Sequence, residues 1–161
     1  MGFRESPGKV KNRRYLMANY AGVGNRIVAI IIDHVIIGLI TLLLAIPLGL
    51  QMFTAAATGM VDPVAYLGSM VGLWALSLVL WLAYFTYMEG SSGQTLGKRL
   101  LRIKVVKENG KPLTYVDAFV RTLLRIVDGM FAYLIGFIVI VATDKKQRVG
   151  DMAAGTIVVN A

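Results

Sequence analysis

Arg26 and Asp33 are the residues whose types and spacing could do chemistry in an apolar setting. They stand in RIVAIIIDHVIIGLITLLLAIP, residues 26–47, where nearly every other position is apolar. Seven residues are close to two helical turns, so both charges fall on one helix face, about 10 Å apart along the axis. A carboxylate at the centre of a membrane helix costs roughly 2.5–3.5 kcal/mol on insertion scales. Such an acid is expected to face a charged partner or a hydrated path, and to be functional. Burial raises an acid's proton affinity and a neighbouring guanidinium lowers it. A carboxyl alternating between those surroundings would bind and release a proton or a monovalent cation. His34, the single histidine, stands about 100° around the helix from Asp33. It is a candidate proton relay, and a packed, hydrogen-bonded side chain is the simpler reading. Arg26 can also snorkel to the interface and serve packing alone.

Partners for these charges are expected further along. Between Tyr115 and Asp128, the residues Val116, Phe119, Val120, Leu123, Leu124 and Val127 form an apolar face. Asp117, Arg121, Arg125 and Asp128 recur at steps of three and four, so the last three share one stripe. Asp128 precedes Gly129, where the pattern breaks, and could be a second cation ligand at a broken helix, as transporters build such sites. Asp151 opens a short turn bracketed by Gly150 and Gly155, where an acid suits the helix dipole. The candidate ion- or proton-binding residues are therefore Asp33, Asp128 and His34. The candidate charge-pairing residues are Arg26, Arg121, Arg125 and Asp151. Permanent pairing of the acids with the arginines, fixing helix packing and nothing else, is the competing reading.

The elements that must position these groups are mostly helical. The chain has 161 residues, 57% of them hydrophobic, above the usual soluble range. The fold class expected is an all-α integral membrane protein with two full transmembrane helices and a bent third helical region. The first span covers about 25–50, with Pro47 tolerated near its end. It exceeds a signal-peptide core and carries Asp33, so it reads as a retained helix. The second covers about 63–88, opened by Asp62 as cap and Pro63 in the first helical position. Gly68 and Gly72 form a small-residue face expected to pack on the first span, with homodimer contact as the sharper reading. Trp81, Tyr84, Phe85 and Tyr87 read as an aromatic belt, and Glu89 closes the helix at the interface.

After the second span, the segment from Gly90 to Lys98 misses the phosphate-loop spacing and reads as a flexible interfacial loop. Residues 100–107 alternate apolar with basic, as a strand does. Asn109-Gly110 is a hairpin signal, returning over 112–114, and 156–159 supplies a third strand. The third helical region would comprise 115–128 and 129–143. The second piece, about 21 Å as helix, is too short to span comfortably and reads as re-entrant. A single spanning helix over 115–143 competes, and would export Lys145, Lys146 and Arg148. Residues 1–19 form a basic N-terminal segment and 20–161 the membrane domain.

The net charge of +8 would suit nucleic acid, but the basic residues flank the apolar runs and residues 51–63 have none. That is the positive-inside pattern, with both termini cytoplasmic at a cell membrane and no nucleic-acid partner. Arg102, Lys104, Lys107 and Lys111 on the hairpin would contact anionic lipid headgroups. The absence of cysteine excludes thiol chemistry. No nucleophile–base–acid set and no metal-ligand cluster stands out, so neither enzymatic activity, a cofactor nor a bound metal is expected.

Several of these segments in this order resemble the RDD family of membrane proteins: Arg26 and Asp33 in RIVAIIID, then GQTLGKRLLRIKVV, RTLLRIVD and QRVGDMAAGTIVV. The family takes its name from an arginine and two aspartates. Arg26 and Asp33 match the first two, and Asp128 and Asp151 both fit the third. The resemblance implies a membrane protein of the transporter type, with cation/proton antiport proposed for some members and accessory or assembly roles for others. A two-span subunit is thin for a transport path, so transport would require a homo-oligomer. The alternative is a non-transporting module that binds anionic lipid or a partner protein.

Overall fold

The computed structural model describes residues 20–130 and 147–161, with side chains through residue 126 in the first of these segments. Helix α1 spans Val23–Thr58 and α2 spans Pro63–Ser92, 36 and 30 residues long. At 1.5 Å per residue they run roughly 54 and 45 Å, beyond the ~30 Å hydrocarbon core. Both are long and apolar enough to cross a membrane, and both extend past the ends expected from composition. Asp62 caps α2 as its sequence predicts, accepting from the amides of Val64 and Ala65 with Pro63 at the start. The outward faces are bare: Leu43 is 66% exposed and Trp74 70%.

Gly68 and Gly72 do not pack on the first span. A Cβ built on either meets nothing within 4 Å. The two spans touch instead near their charged ends, through the aromatic cluster of α2. Phe85 is fully buried, Trp81 lies 5.2 Å from it edge-on, and both face His34. The aromatic residues are thus helix-packing groups, apart from Tyr87, which is exposed and stacks on Tyr115.

The segment read as a flexible loop is ordered. Gly93 ends α2 in the left-handed region (φ 72°), where a Cβ would lie 2.5 Å from the Val105 carbonyl oxygen. That backbone conformation and that closeness both demand glycine. Two residues later Thr95 caps a one-turn helix, α3, Leu96–Leu100, accepting from the Lys98 amide. The strand expected from residue 100 therefore begins only at Ile103.

Strand β1, Ile103–Lys107, pairs antiparallel with the C-terminal strand β2, Thr156–Asn160, from Ile103 opposite Asn160 to Lys107 opposite Thr156. The return strand at 112–114 does not form. Asn109-Gly110 does turn the chain, and the Lys107 amide reaches the Lys111 carbonyl, but Pro112 has no N–H with which to extend a ladder. Leu113 instead enters the core. Among the described residues the sheet is two-stranded, with Tyr20 bridging Val159 at its edge. Thr156 through Val159 are all buried, because one face of β2 meets Ala21, Ala29 and Ala118 and the other meets Tyr20.

Helix α4, Tyr115–Met130, continues through Asp128-Gly129 without a break. The proposed helix at 129–143 otherwise lies outside the described residues, as do residues 1–19 and the Asp128 side chain. Helix α5, Val149–Ala153, leads into β2.

Candidate functional site

Asp33 is fully buried where α1, α2 and α3 meet. Its Oδ1 accepts from the Tyr84 hydroxyl at 2.7 Å and from the Gly97 amide at 2.8 Å. Its Oδ2 accepts from the Thr95 hydroxyl at 2.5 Å. The contact requires α3 to press its backbone against α1: a Cβ on Gly97 would lie 2.2 Å from the Ala29 carbonyl oxygen and 3.1 Å from Asp33 Cγ. The hydroxyls have second roles. Tyr84 accepts from the Leu96 amide at 3.2 Å, and Thr95 caps α3.

The partners of Asp33 are thus neutral. The sequence places Arg26 on the same face, and Arg26 is indeed buried, but it turns to the C-terminal region. Its Nη1 lies 3.6 Å from Asp151 Oδ2, and its Nη2 donates to the Val158 carbonyl. Neither Arg121 nor Arg125 reaches Asp33; both serve Glu89. His34 is engaged at both ring nitrogens. Nδ1 lies 2.8 Å from the Ile30 carbonyl, which assigns the proton there, and Nε2 then accepts from the Trp81 indole at 3.4 Å.

Glu89, at the end of the second span, is the centre of a separate ionic cluster. Fully buried, it accepts at Oε1 from Lys98 Nζ at 2.6 Å and Arg125 Nη2 at 2.8 Å, and at Oε2 from Arg121 Nε at 3.1 Å. Arg121 extends to Asp151 Oδ1 at 2.6 Å and to the Thr156 hydroxyl. Asp151 Oδ2 accepts from the Arg148 amide at 3.1 Å. Arg125 also lies over the Phe85 ring, 4.0 Å from its centroid. The cluster ties both spans to α3, α4, α5 and β2.

The electrostatics of the extramembrane members follow from this geometry. Burial would push the Asp151 carboxyl up, yet Arg121, Arg148 and Arg26 together hold it below the usual carboxylate range. Burial lowers the Lys98 ammonium to about 8, against the pull of Glu89 and with the help of Arg121 and Arg125. Arg148 is lowered by burial and by neighbouring Arg125 and Arg121, with Asp151 opposing.

The hairpin cations do not act as one group. Arg102 and Lys111 are exposed and Lys104 is half-buried, while Lys107 pairs with Asp117 at 2.8 Å. Among the described residues, no three His, Asp or Glu converge as a metal set would. Sequence reasoning missed Glu89, Lys98, Thr95, Tyr84, Gly97 and Arg148 as site members. Glu89 carried a signal, being the single acid of an otherwise apolar span. Thr95 followed by Lys98 carried the weaker signal of a capped turn.

The family model described as RDD family matches residues 20–155. An uncharacterized membrane protein of Bacillus subtilis, YteJ, is 32% identical over 144 residues, covering 88% of this chain and 81% of that protein. A proline-rich antigen homolog of Mycobacterium tuberculosis is 33% identical over 99 residues, covering 56% of this chain. The proline-rich antigen of Mycobacterium leprae is 27% identical over 85 residues. The matches cover 40% and 34% of these two mycobacterial proteins, so the chain spans well under two thirds of their length. No solved structure matches the chain.

Proposed function

The chain belongs to the RDD family, and on that premise we propose that it is an ion-coupled membrane transporter in which Asp33 exchanges a proton for a monovalent cation. The observation that carries this reading is the contrast between two kinds of buried acid. Glu89 and Asp151 face arginine and lysine, which donate and cannot accept. Only an ionised carboxylate satisfies them. Asp33 faces two hydroxyls, Tyr84 and Thr95, each able to donate or accept. A protonated Asp33 could donate to the oxygen that an ionised Asp33 accepts from. Turned outward, the same two hydroxyl oxygens and the carboxylate are hard donors suited to Na⁺ or K⁺. His34, engaged at both ring nitrogens, is left out of this role, and Arg26 and Arg121 act as packing charges.

The two spans among the described residues enclose too little for a path, so transport takes place in a homo-oligomer. The pairing of Tyr20 and β1 with β2 supports both ends of the domain lying on one side. The lysine and arginine bias of that side supports the cytoplasm. The competing reading, a lipid- or partner-binding module without transport, draws its support from exposed Arg102 and Lys111.

The test is cation-dependent proton release from detergent-solubilised protein, read with a pH-sensitive dye on adding Na⁺ or K⁺. Wild type and Glu89→Asp should both release protons, and Asp33→Asn should release none. Equal release from wild type and Asp33→Asn would remove Asp33 from the reaction.

A further inference from the structure

The ionic cluster around Glu89 is not neutral among the described residues. Four of its buried cations are Lys98, Arg121, Arg125 and Arg148. Two buried acids, Glu89 and Asp151, oppose them, an excess of two positive charges. Buried charges are ordinarily paired, because desolvation of an unpaired ion is costly.

One donor in this cluster is also unspent. Arg125 is 3% exposed, its Nη2 goes to Glu89, and its Nη1 is buried with no hydrogen-bond partner. Arg148, 6% exposed, is attracted by Asp151 and Glu89 and lies close enough to Arg125 and Arg121 to be disfavoured by both. The cluster also sits at the ends of the spans, where Arg26 opens α1 and Glu89 closes α2. Basic pockets between transmembrane helices at headgroup level are where anionic lipid heads bind.

We propose that this cluster is a binding site for a phosphate-type anion, held by Arg125 and Arg148 with Arg121 and Lys98 supplying charge. A guanidinium presents a planar fork matched to phosphate oxygens, and a dianionic phosphomonoester would offset the excess charge. The site is separate from Asp33 and does not depend on transport. Its ligand is either a lipid phosphomonoester head or free inorganic phosphate, and the two share the chemistry.

Three arms test it. Purified protein in neutral detergent is titrated with inorganic phosphate and its melting temperature followed. Nanodiscs of phosphatidylcholine with and without phosphatidic acid provide the second arm. Native mass spectrometry of wild type extracted from phosphatidic acid nanodiscs provides the third. Arg125→Gln and Arg148→Gln are compared with the surface control Arg99→Gln, an exposed residue. The expected result is saturable stabilisation by one of the two probes, weakened at least roughly tenfold in Arg125→Gln or Arg148→Gln, as for loss of a charge-assisted hydrogen bond, and unchanged in Arg99→Gln. One retained phosphatidic acid per chain identifies the lipid as the source, and response to phosphate alone identifies the free anion. If Arg125→Gln fails to fold, Arg148→Gln and the mass spectrum of wild type decide. No saturable response to either probe overturns the proposal, as does equal weakening in Arg99→Gln, which would reduce the effect to surface charge.

Discussion

The Gly97 amide donates to Asp33 Oδ1 over 2.8 Å across 64 positions of sequence, and the absence of a side chain on Gly97 is what lets the two meet. A methyl there would be driven into the Ala29 carbonyl oxygen at 2.2 Å. Gly97→Ala should therefore cost about 1–3 kcal/mol, the usual range for overpacking a tight contact. Gly72→Ala, with open space around it, should stay within about 0.5 kcal/mol of wild type. Thermal melts in detergent would check the pair. Equal effects would mean that α3 does not press on α1 as described.

Glu89 gathers three cations, so its neutralisation should be the most damaging single change in the cluster. Glu89→Gln leaves Lys98, Arg121 and Arg125 buried without their common anion. Loss of one partner of a buried ionic group typically costs about 3–5 kcal/mol. Chemical denaturation of the reconstituted protein would measure it. A loss below about 1 kcal/mol would indicate that the cluster is hydrated and weakly coupled.

Residue spacing dictates some of these contacts and leaves others open. Arg26 and Asp33 sharing a buried face followed from helical spacing, and the start of α2 followed from Asp62-Pro63. Which charge meets which did not, because partner choice depends on how α3 and α5 dock, and their one-turn helices have too few residues to show periodicity. Thr95 reads as part of a loop because its capping role needs only one hydroxyl and one amide. Asn109-Gly110 dictates a turn but not a ladder beyond Pro112, so no strand forms at 112–114. Gly68 and Gly72 satisfied a small-residue pattern that identifies a smooth face without identifying what covers it.

The titrating groups outside the spans give opposite pH signatures. Lys98 has a folded pKa of about 8 against 10.5 in the unfolded chain, so between those values the unfolded state holds more protons. Its contribution should make stability rise with pH from about 8 to 10.5. Lys98→Met should flatten that rise and be no less stable than wild type at neutral pH, since burial outweighs the attraction of Glu89. Asp151 is lowered in the folded state, so its contribution is complete above the ordinary carboxylate range and is lost as pH falls through its folded value. Asp151→Asn should be less stable at neutral pH and lose less on acidification. Melting temperatures across pH for the three proteins would check both signs. A fall in wild-type stability above pH 8 that Lys98→Met abolishes would reverse the first.

In the proposed exchange Asp33, alone among the described buried acids, gives up its proton for a cation. The most direct measurement is proton flux in proteoliposomes loaded with a pH-sensitive dye, driven by an imposed Na⁺ or K⁺ gradient. Wild type and Asp33→Asn would be compared at matched insertion and folding. Coupled proton movement in wild type, reduced at least roughly tenfold in Asp33→Asn as for loss of an essential proton-transfer group, is the predicted result. Absence of coupled flux from well-folded wild type with either cation, or flux that survives Asp33→Asn, would contradict it.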